Sequence, residues 1–160
     1  FKVADGTGAV STLEFSQDGN HLFIGTFSGN LYRLSGFGSV YSPKKDTDPA
    51  IGDTLIDITM GGTVITSLTN LGSFGAAVTG IAVESDPNHV AITLGGFGSG
   101  RVRDTDDALG SSPSWNTYSG LGTIPCFSIV MVDANNWVVG TELGTYCTAD
   151  GGANWANVSG

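Results

Sequence analysis

Short β-rich runs that recur three times, glycine at 25 of 160 residues and a repeat unit of about 40–50 residues together predict an all-β fold. The fold class is a partial β-propeller of about three four-stranded antiparallel blades. The glycines are spread along the chain without a collagen period, so they mark tight turns between short strands. Hydrophobic residues make up 40%, enough for a packed core, and charged residues only 13%, below the roughly 25% of an average domain. No window sets apolar residues at i, i+3, i+4 and i+7 behind a capping box, so no helix is expected.

The first unit reads as strand Val10–Phe15, an Asp-Gly-Asn turn through Asp18, strand His21–Thr26, a glycine turn at Gly29 and a strand at 31–34. The second repeats this order: Val78–Val83, a turn through Asp86 and Asn88, a strand at 89–94, a glycine-rich loop and a strand at 101–103. The third comprises a strand at 127–132, a turn through Asp133, Trp137–Thr141, a turn at Gly144 and a strand at 145–148. Superposed, the copies align Gly25-Thr26 with Gly140-Thr141 and Tyr32 with Tyr146. The fourth strands are more variable and are expected at 63–69, 115–118 and 155–158. An excursion at 43–62 carries a polar loop at 44–49 and a further expected strand at 54–59. The expected blades are therefore 10–76, 78–119 and 122–160, a single segment of a larger propeller, because 4–8 blades close a ring.

The formal net charge is −9 with only 6 Lys plus Arg. Phosphate binding needs clustered cations, so a nucleic-acid partner is excluded, as is adhesion to an anionic membrane surface. No apolar stretch approaches the ~20 residues of a membrane span. The chain opens at Phe1 with neither a basic n-region nor an apolar h-region, so a removed leader or an internal position in a longer protein is expected. Cys126 and Cys147 show no metal-ligand spacing. One strand is expected to separate them, which puts their backbones beyond bridging distance, so they are expected to be unbonded.

The strongest local signal is Thr148-Ala149-Asp150-Gly151-Gly152-Ala153-Asn154-Trp155. Asp150 can accept backbone N–H bonds from its own turn. Gly151 and Gly152 permit positive φ, and Trp155 starts the outer strand with a ring to bury. A decayed copy is expected at 104–108, with Asp106 aligned to Asp150 and Trp115 as its aromatic after an insertion. In the first unit Gly36 occupies the aspartate position.

This pattern, Ser/Thr-x-Asp-x-Gly-x-x-Trp, resembles the Asp-box of BNR, sortilin-type and sialidase-type propellers. Residues 78–94 and 125–155 look like repeats of large bacterial surface proteins exported by the type IX secretion system. The resemblance implies a secreted or cell-surface location. Because about three blades leave a ring open, the expected partners are the remaining blades of the same propeller or another protein chain, with a glycan or surface protein as a further expected partner. Some members of the family are sialidases or xyloglucan-cleaving hydrolases.

The residues themselves favour scaffold over chemistry. A sialidase needs an arginine cluster, and the chain has only Arg33, Arg101 and Arg103. Arg33 and Arg103 are expected at equivalent strand positions. A glycosidase needs two carboxyls across a cleft. The acidic candidates Glu14, Asp57, Glu84, Asp104, Asp106, Asp107 and Glu142 sit mostly in turns, where such residues are ordinary. The run Asp104-Thr105-Asp106-Asp107 lacks the glycine and terminal glutamate of an EF-hand loop. His21 and His89 occupy one repeat position and are expected to be rim residues that cap a strand. No cofactor, metal ligand or catalytic residue is expected. The expected function is a non-catalytic propeller module serving as scaffold, display or recognition surface. The alternative is part of a polysaccharide-active glycoside hydrolase whose catalytic carboxylates lie mostly outside this chain.

Overall fold

The computed structural model describes residues 8–37 and 67–160. The first sheet contains β1 (Val10–Phe15), β2 (His21–Thr26), β3 (Asn30–Ser35) and β4 (Ser67–Ser73). The second contains β5 (Val78–Val83), β6 (Val90–Leu94), β7 (Val102–Thr105) and β8 (Asn116–Tyr118). The third contains β9 (Cys126–Met131), β10 (Trp137–Thr141), β11 (Gly144–Thr148) and β12 (Ala156–Asn157). Each is a four-stranded antiparallel meander whose strands pair in chain order. The fourth strand of the first sheet runs to Ser73, past the expected end at 69, and the expected positions 63–66 lie outside the described residues. The expected strand at 54–59, the polar loop at 44–49 and Asp57 lie outside the described residues.

The same turn chemistry closes the first hairpin of every sheet. Asp18, Asp86 and Asp133 each accept, through Oδ1, the N–H of the asparagine two residues on, at 3.0, 2.9 and 2.8 Å. This Asx turn reverses the chain with one short side chain, so a single aspartate per repeat suffices to set three hairpins.

The sheets touch through their innermost strands: β1 and β2 pack on β5, and β5 and β6 pack on β9. One core cluster, with Phe23, Leu31, Val78 and Ile92, fills the first junction. Another, with Ala82, Ala91, Ile129, Trp137 and Val139, fills the second. Small residues on β5 and β6 make room there for the large indole of Trp137, which is 1% exposed. A hydroxyl spans each junction. Ser11 Oγ donates to the Val78 carbonyl at 2.5 Å and Thr79 Oγ1 to the Cys126 carbonyl at 2.6 Å. Ser11 and Thr79 both sit at the register irregularity of their strand, and the matching residue of β9 is Phe127, which is exposed. At Gly80 the chains approach so closely that a Cβ would lie 3.0 Å from the Ser128 Cα.

Alternation along a strand sends successive side chains to opposite faces. On β9 and β10 it buries Ile129, Trp137 and Val139 against the second sheet and leaves Val130 and Val138 exposed on the far side. Val130, Val138 and Cys147 form one cross-strand row there. Cys126 and Cys147 are free thiols with β10 between them. Burial pushes the Cys126 thiol up to about 11.

Candidate functional site

The pairing registers fix which residues of the three sheets are equivalent. Leu22 faces Leu34, Val90 faces Thr105, and Trp137 faces Thr148. Independently, the N–H groups of Phe37, Ala108 and Gly151 bond to the carbonyls of Asn20, Asn88 and Asn135 at 3.3, 2.9 and 2.9 Å. Both criteria place Gly36, Asp107 and Asp150 at one position. The second-sheet counterpart of Asp150 is thus Asp107, one residue beyond the expected Asp106. Its local bonding agrees: Asp107 N–H donates to Thr105 Oγ1 at 3.2 Å, as Asp150 N–H donates to Thr148 Oγ1 at 3.3 Å.

In the third sheet the turn around Asp150 is fully cross-bonded. Thr148 Oγ1 donates to Asp150 Oδ1 at 2.8 Å and accepts the Gly152 N–H at 3.0 Å. Asp150 accepts the side-chain N–H of Asn154 at 2.7 Å and its backbone N–H at 2.8 Å. These bonds, the Asn154 side chain foremost, hold the Asp150 carboxyl below its ordinary range. Gly151 and Gly152 have φ of 66° and 90°. Gly152 is also crowded, since a Cβ there would lie 2.9 Å from the Tyr118 ring.

Trp155 is half-buried, with its ring 6.4 Å from that of Trp137. Its Nε1 is buried without a hydrogen-bond partner. The tryptophan fully enclosed between sheets is Trp137, whose Nε1 donates to the Ala134 carbonyl at 3.1 Å. Trp115 closes the first junction from the second sheet, with its ring 5.1 Å from Phe74 and its Nε1 donating to the Leu71 carbonyl at 2.9 Å.

The expected equivalence of Arg33 and Arg103 does not hold. Arg33 faces Phe23 and Arg103 faces Ile92, whereas the counterpart of Phe23 is Ala91, which faces Asp104. The two arginines therefore lie on opposite faces of their blades. Arg33 is buried and donates to the carbonyls of Ala108 and Gly110 at 2.5 and 3.2 Å, which ties the first sheet to the second. Arg103 lies 5.4 Å from the centroid of the Phe74 ring. Arg101 donates to the carbonyls of Gly98 and Phe97 in its own loop.

His21 and His89 share a repeat position, but only His21 is a partly open rim residue, bonded through Nδ1 to Ser35 Oγ at 2.9 Å. His89 is 7% exposed and enters a cluster of carboxylates at the second junction. Its Nε2 lies 3.1 Å from Asp104 Oδ2 and 3.7 Å from Asp106 Oδ1, and its Nδ1 lies 3.5 Å from Glu84 Oε2. Tyr118 Oη donates to Asp104 Oδ1 at 2.9 Å. The His89 ring sits 5.9 Å from that of Trp137.

The bond to Asp104 raises the His89 imidazole above its ordinary value, against burial, which lowers it. Burial pushes the Asp104 carboxyl up, but bonds from His89, Asn116 and Tyr118 outweigh it and hold that carboxyl low. Burial and the Asp104 charge drive the Tyr118 phenol far above its usual value. Sequence reading missed this cluster. The signal was a register one: continuing the Val90–Thr105 and Ala91–Asp104 pairing one residue past the strand ends sets His89 across from Asp106 and diagonal to Asp104, on one face, within the reach of cross-strand pairs.

Three radially arranged four-stranded meanders joined through their innermost strands define a β-propeller segment. No protein-family model and no curated protein matches the chain. Among solved structures it is similar to the Swd1 β-propeller domain of Myceliophteria thermophila (TM-score 0.59, 9% identity, 98% of this chain and 40% of that one). It is also similar to YCF48 bound to D1 peptide (TM-score 0.60, 14% identity, 94% and 39%). A third likeness is to an ancestral GH74 enzyme (TM-score 0.60, 19% identity, 94% and 18%). The chain spans less than half the length of each of these proteins, and at such identities the likeness establishes the fold alone.

Proposed function

We propose that the chain is a segment of a larger Asp-box propeller in a secreted or cell-surface bacterial protein, with blades at 10–76, 78–119 and 122–160, and that it works as a non-catalytic scaffold and recognition surface. The carrying observation is a repeated apolar display. The turn between the second and third strand of each sheet holds one exposed large apolar side chain: Phe27 at 65%, Phe97 at 72% and Leu143 at 62%. These turns lie at one end of all three sheets. An apolar residue repeated on one rim suits an extended peptide laid across the blades. That YCF48 is a propeller bound to D1 peptide supports such a use of the fold. Thr148, Asp150, Gly151, Gly152 and Trp155 are read as structural, because the Asp150 carboxylate bonds within its own turn.

The likeness to the GH74 enzyme keeps a second reading, a segment of a polysaccharide-active hydrolase. One experiment separates the two. The protein and a Phe27→Ser, Phe97→Ser, Leu143→Ser variant are applied to peptide and glycan arrays, with reducing-sugar release from xyloglucan measured in parallel. Recognition by the rim predicts peptide binding that the variant loses and no sugar release. Sugar release, or binding that survives the triple substitution, contradicts it.

A further inference from the structure

The His89 cluster carries more negative charge than its imidazole can balance. With an imidazolium, the carboxylates of Glu84, Asp104 and Asp106 still leave a formal charge of −2. Among the described residues no Lys or Arg forms an ion pair with any of them. One Nε2 faces two carboxylate oxygens from different residues, and a single N–H cannot serve both well.

The spacing suits an ion shared by these atoms. Bonds of about 2.0–2.2 Å in tetrahedral array put ligand atoms roughly 3.3–3.6 Å apart. The observed separations from Nε2, 3.1 and 3.7 Å, bracket that edge. One ligand atom from each of His89, Asp104 and Asp106 lies within 4.8 Å of the others. The groups behind them are also of the right kind. A metal-binding histidine commonly directs its other nitrogen at a carboxylate, which fixes the tautomer, and here Nδ1 faces Glu84. Tyr118 occupies Asp104 Oδ1 and leaves Oδ2 on the Nε2 side. His89 and Asp104 are buried whereas the Asp106 side chain is 79% exposed, so the cluster has a firm base and a solvent side open to a water ligand.

We propose that His89 Nε2, Asp104 Oδ2 and Asp106 Oδ1 bind one divalent transition-metal cation, zinc being the best match to a nitrogen–carboxylate set with an open fourth position. Binding displaces the proton shared between His89 and Asp104 and ties the β5–β6 turn to the β7–β8 connection, beside the Trp137 ring.

The test is titration of the chelator-treated protein with zinc by calorimetry and with cobalt(II) by visible absorption and tryptophan fluorescence. The expected result is one saturable site, with cobalt quenching emission because Trp137 lies 5.9 Å from His89. Asp106→Asn, at an exposed position that leaves the core untouched, should weaken binding by at least about tenfold, and Tyr118→Phe by about 10–100-fold. His89→Gln should abolish it. The proposal is overturned by the absence of saturable binding at submillimolar metal, by Asp106→Asn binding as tightly as the parent, or by calcium binding that His89→Gln leaves unchanged.

Discussion

Replacing Trp137 with alanine removes the largest fully buried side chain of the described residues. Its indole shares a core cluster with Ala82, Ala91 and Val102 of the second sheet and meets the rings of Tyr118 and Trp155. A tryptophan buries roughly 200 Å², which at ~25 cal/mol per Å² is about 5 kcal/mol. Tryptophan-to-alanine truncations in cores cost about 3–5 kcal/mol. The Nε1 bond adds little, because its acceptor, the Ala134 carbonyl, belongs to an exposed residue that water can reach. About 4 kcal/mol is therefore expected, and the thermal midpoint should fall by roughly 8–16 °C for a domain of this size. The comparison that makes this specific is Trp155→Ala. Trp155 is half-buried and its Nε1 is already unpaired, so its removal should cost only about half as much. Urea unfolding followed by far-ultraviolet circular dichroism reads both. A Trp155→Ala cost exceeding that of Trp137→Ala would refute the assignment of Trp137 as the wedge between the second and third sheets.

Trp155→Phe removes a buried N–H that has no acceptor, so it should cost less than a matched change of Trp137 to phenylalanine in the same urea assay. Thr79→Val deletes the hydroxyl that reaches the Cys126 carbonyl across the second junction and should cost about 1 kcal/mol; an unchanged midpoint contradicts its bridging role. Gly29→Ala should destabilise clearly, since φ there is 85° and a Cβ would lie 2.6 Å from the Ala76 carbonyl oxygen. Asp133 and Asp150 have lowered folded values. Their contribution is therefore fully present above the unfolded carboxylate value near 3.9 and is lost as pH falls through the lowered folded values. Melting between pH 5 and 2 should show that decline, and Asp150→Asn should shrink it.

Local rules carried most of the strand order. Period-two runs bounded by Asp, Asn and Gly placed the first and second strands of each repeat close to where they lie, because one Asx turn per hairpin is a short-range device. The fourth strands were less legible. In the first sheet β4 pairs with β3 from Ser67 to Ser73, and nothing local marks that register. The Asp106 assignment slipped by one residue because an alignment of aspartates ignores pairing. Opposite Val90 stands Thr105, not Asp104, and this moves the box position to Asp107. The same slip produced the supposed equivalence of Arg33 and Arg103. His21 and His89 both read as rim residues because they share one repeat position. They differ first on the facing strand, where Asp104 stands at the position of Arg33, and then across the junction, where the third sheet sets Trp137 beside His89, a neighbour no local pattern reveals.

The central proposal, that these three sheets form part of a longer propeller, is tested most directly by the reactivity of Cys147. This thiol stands in the row with Val130 and Val138 on the open face of the third sheet, whereas Cys126 is buried. Maleimide labelling of the 160-residue chain should modify Cys147 readily and leave Cys126 untouched until the chain unfolds. In a longer protein that carries the proposed further blades, Cys147 should be protected, because a blade would lie on that face. Equal reactivity of Cys147 in both would contradict the account.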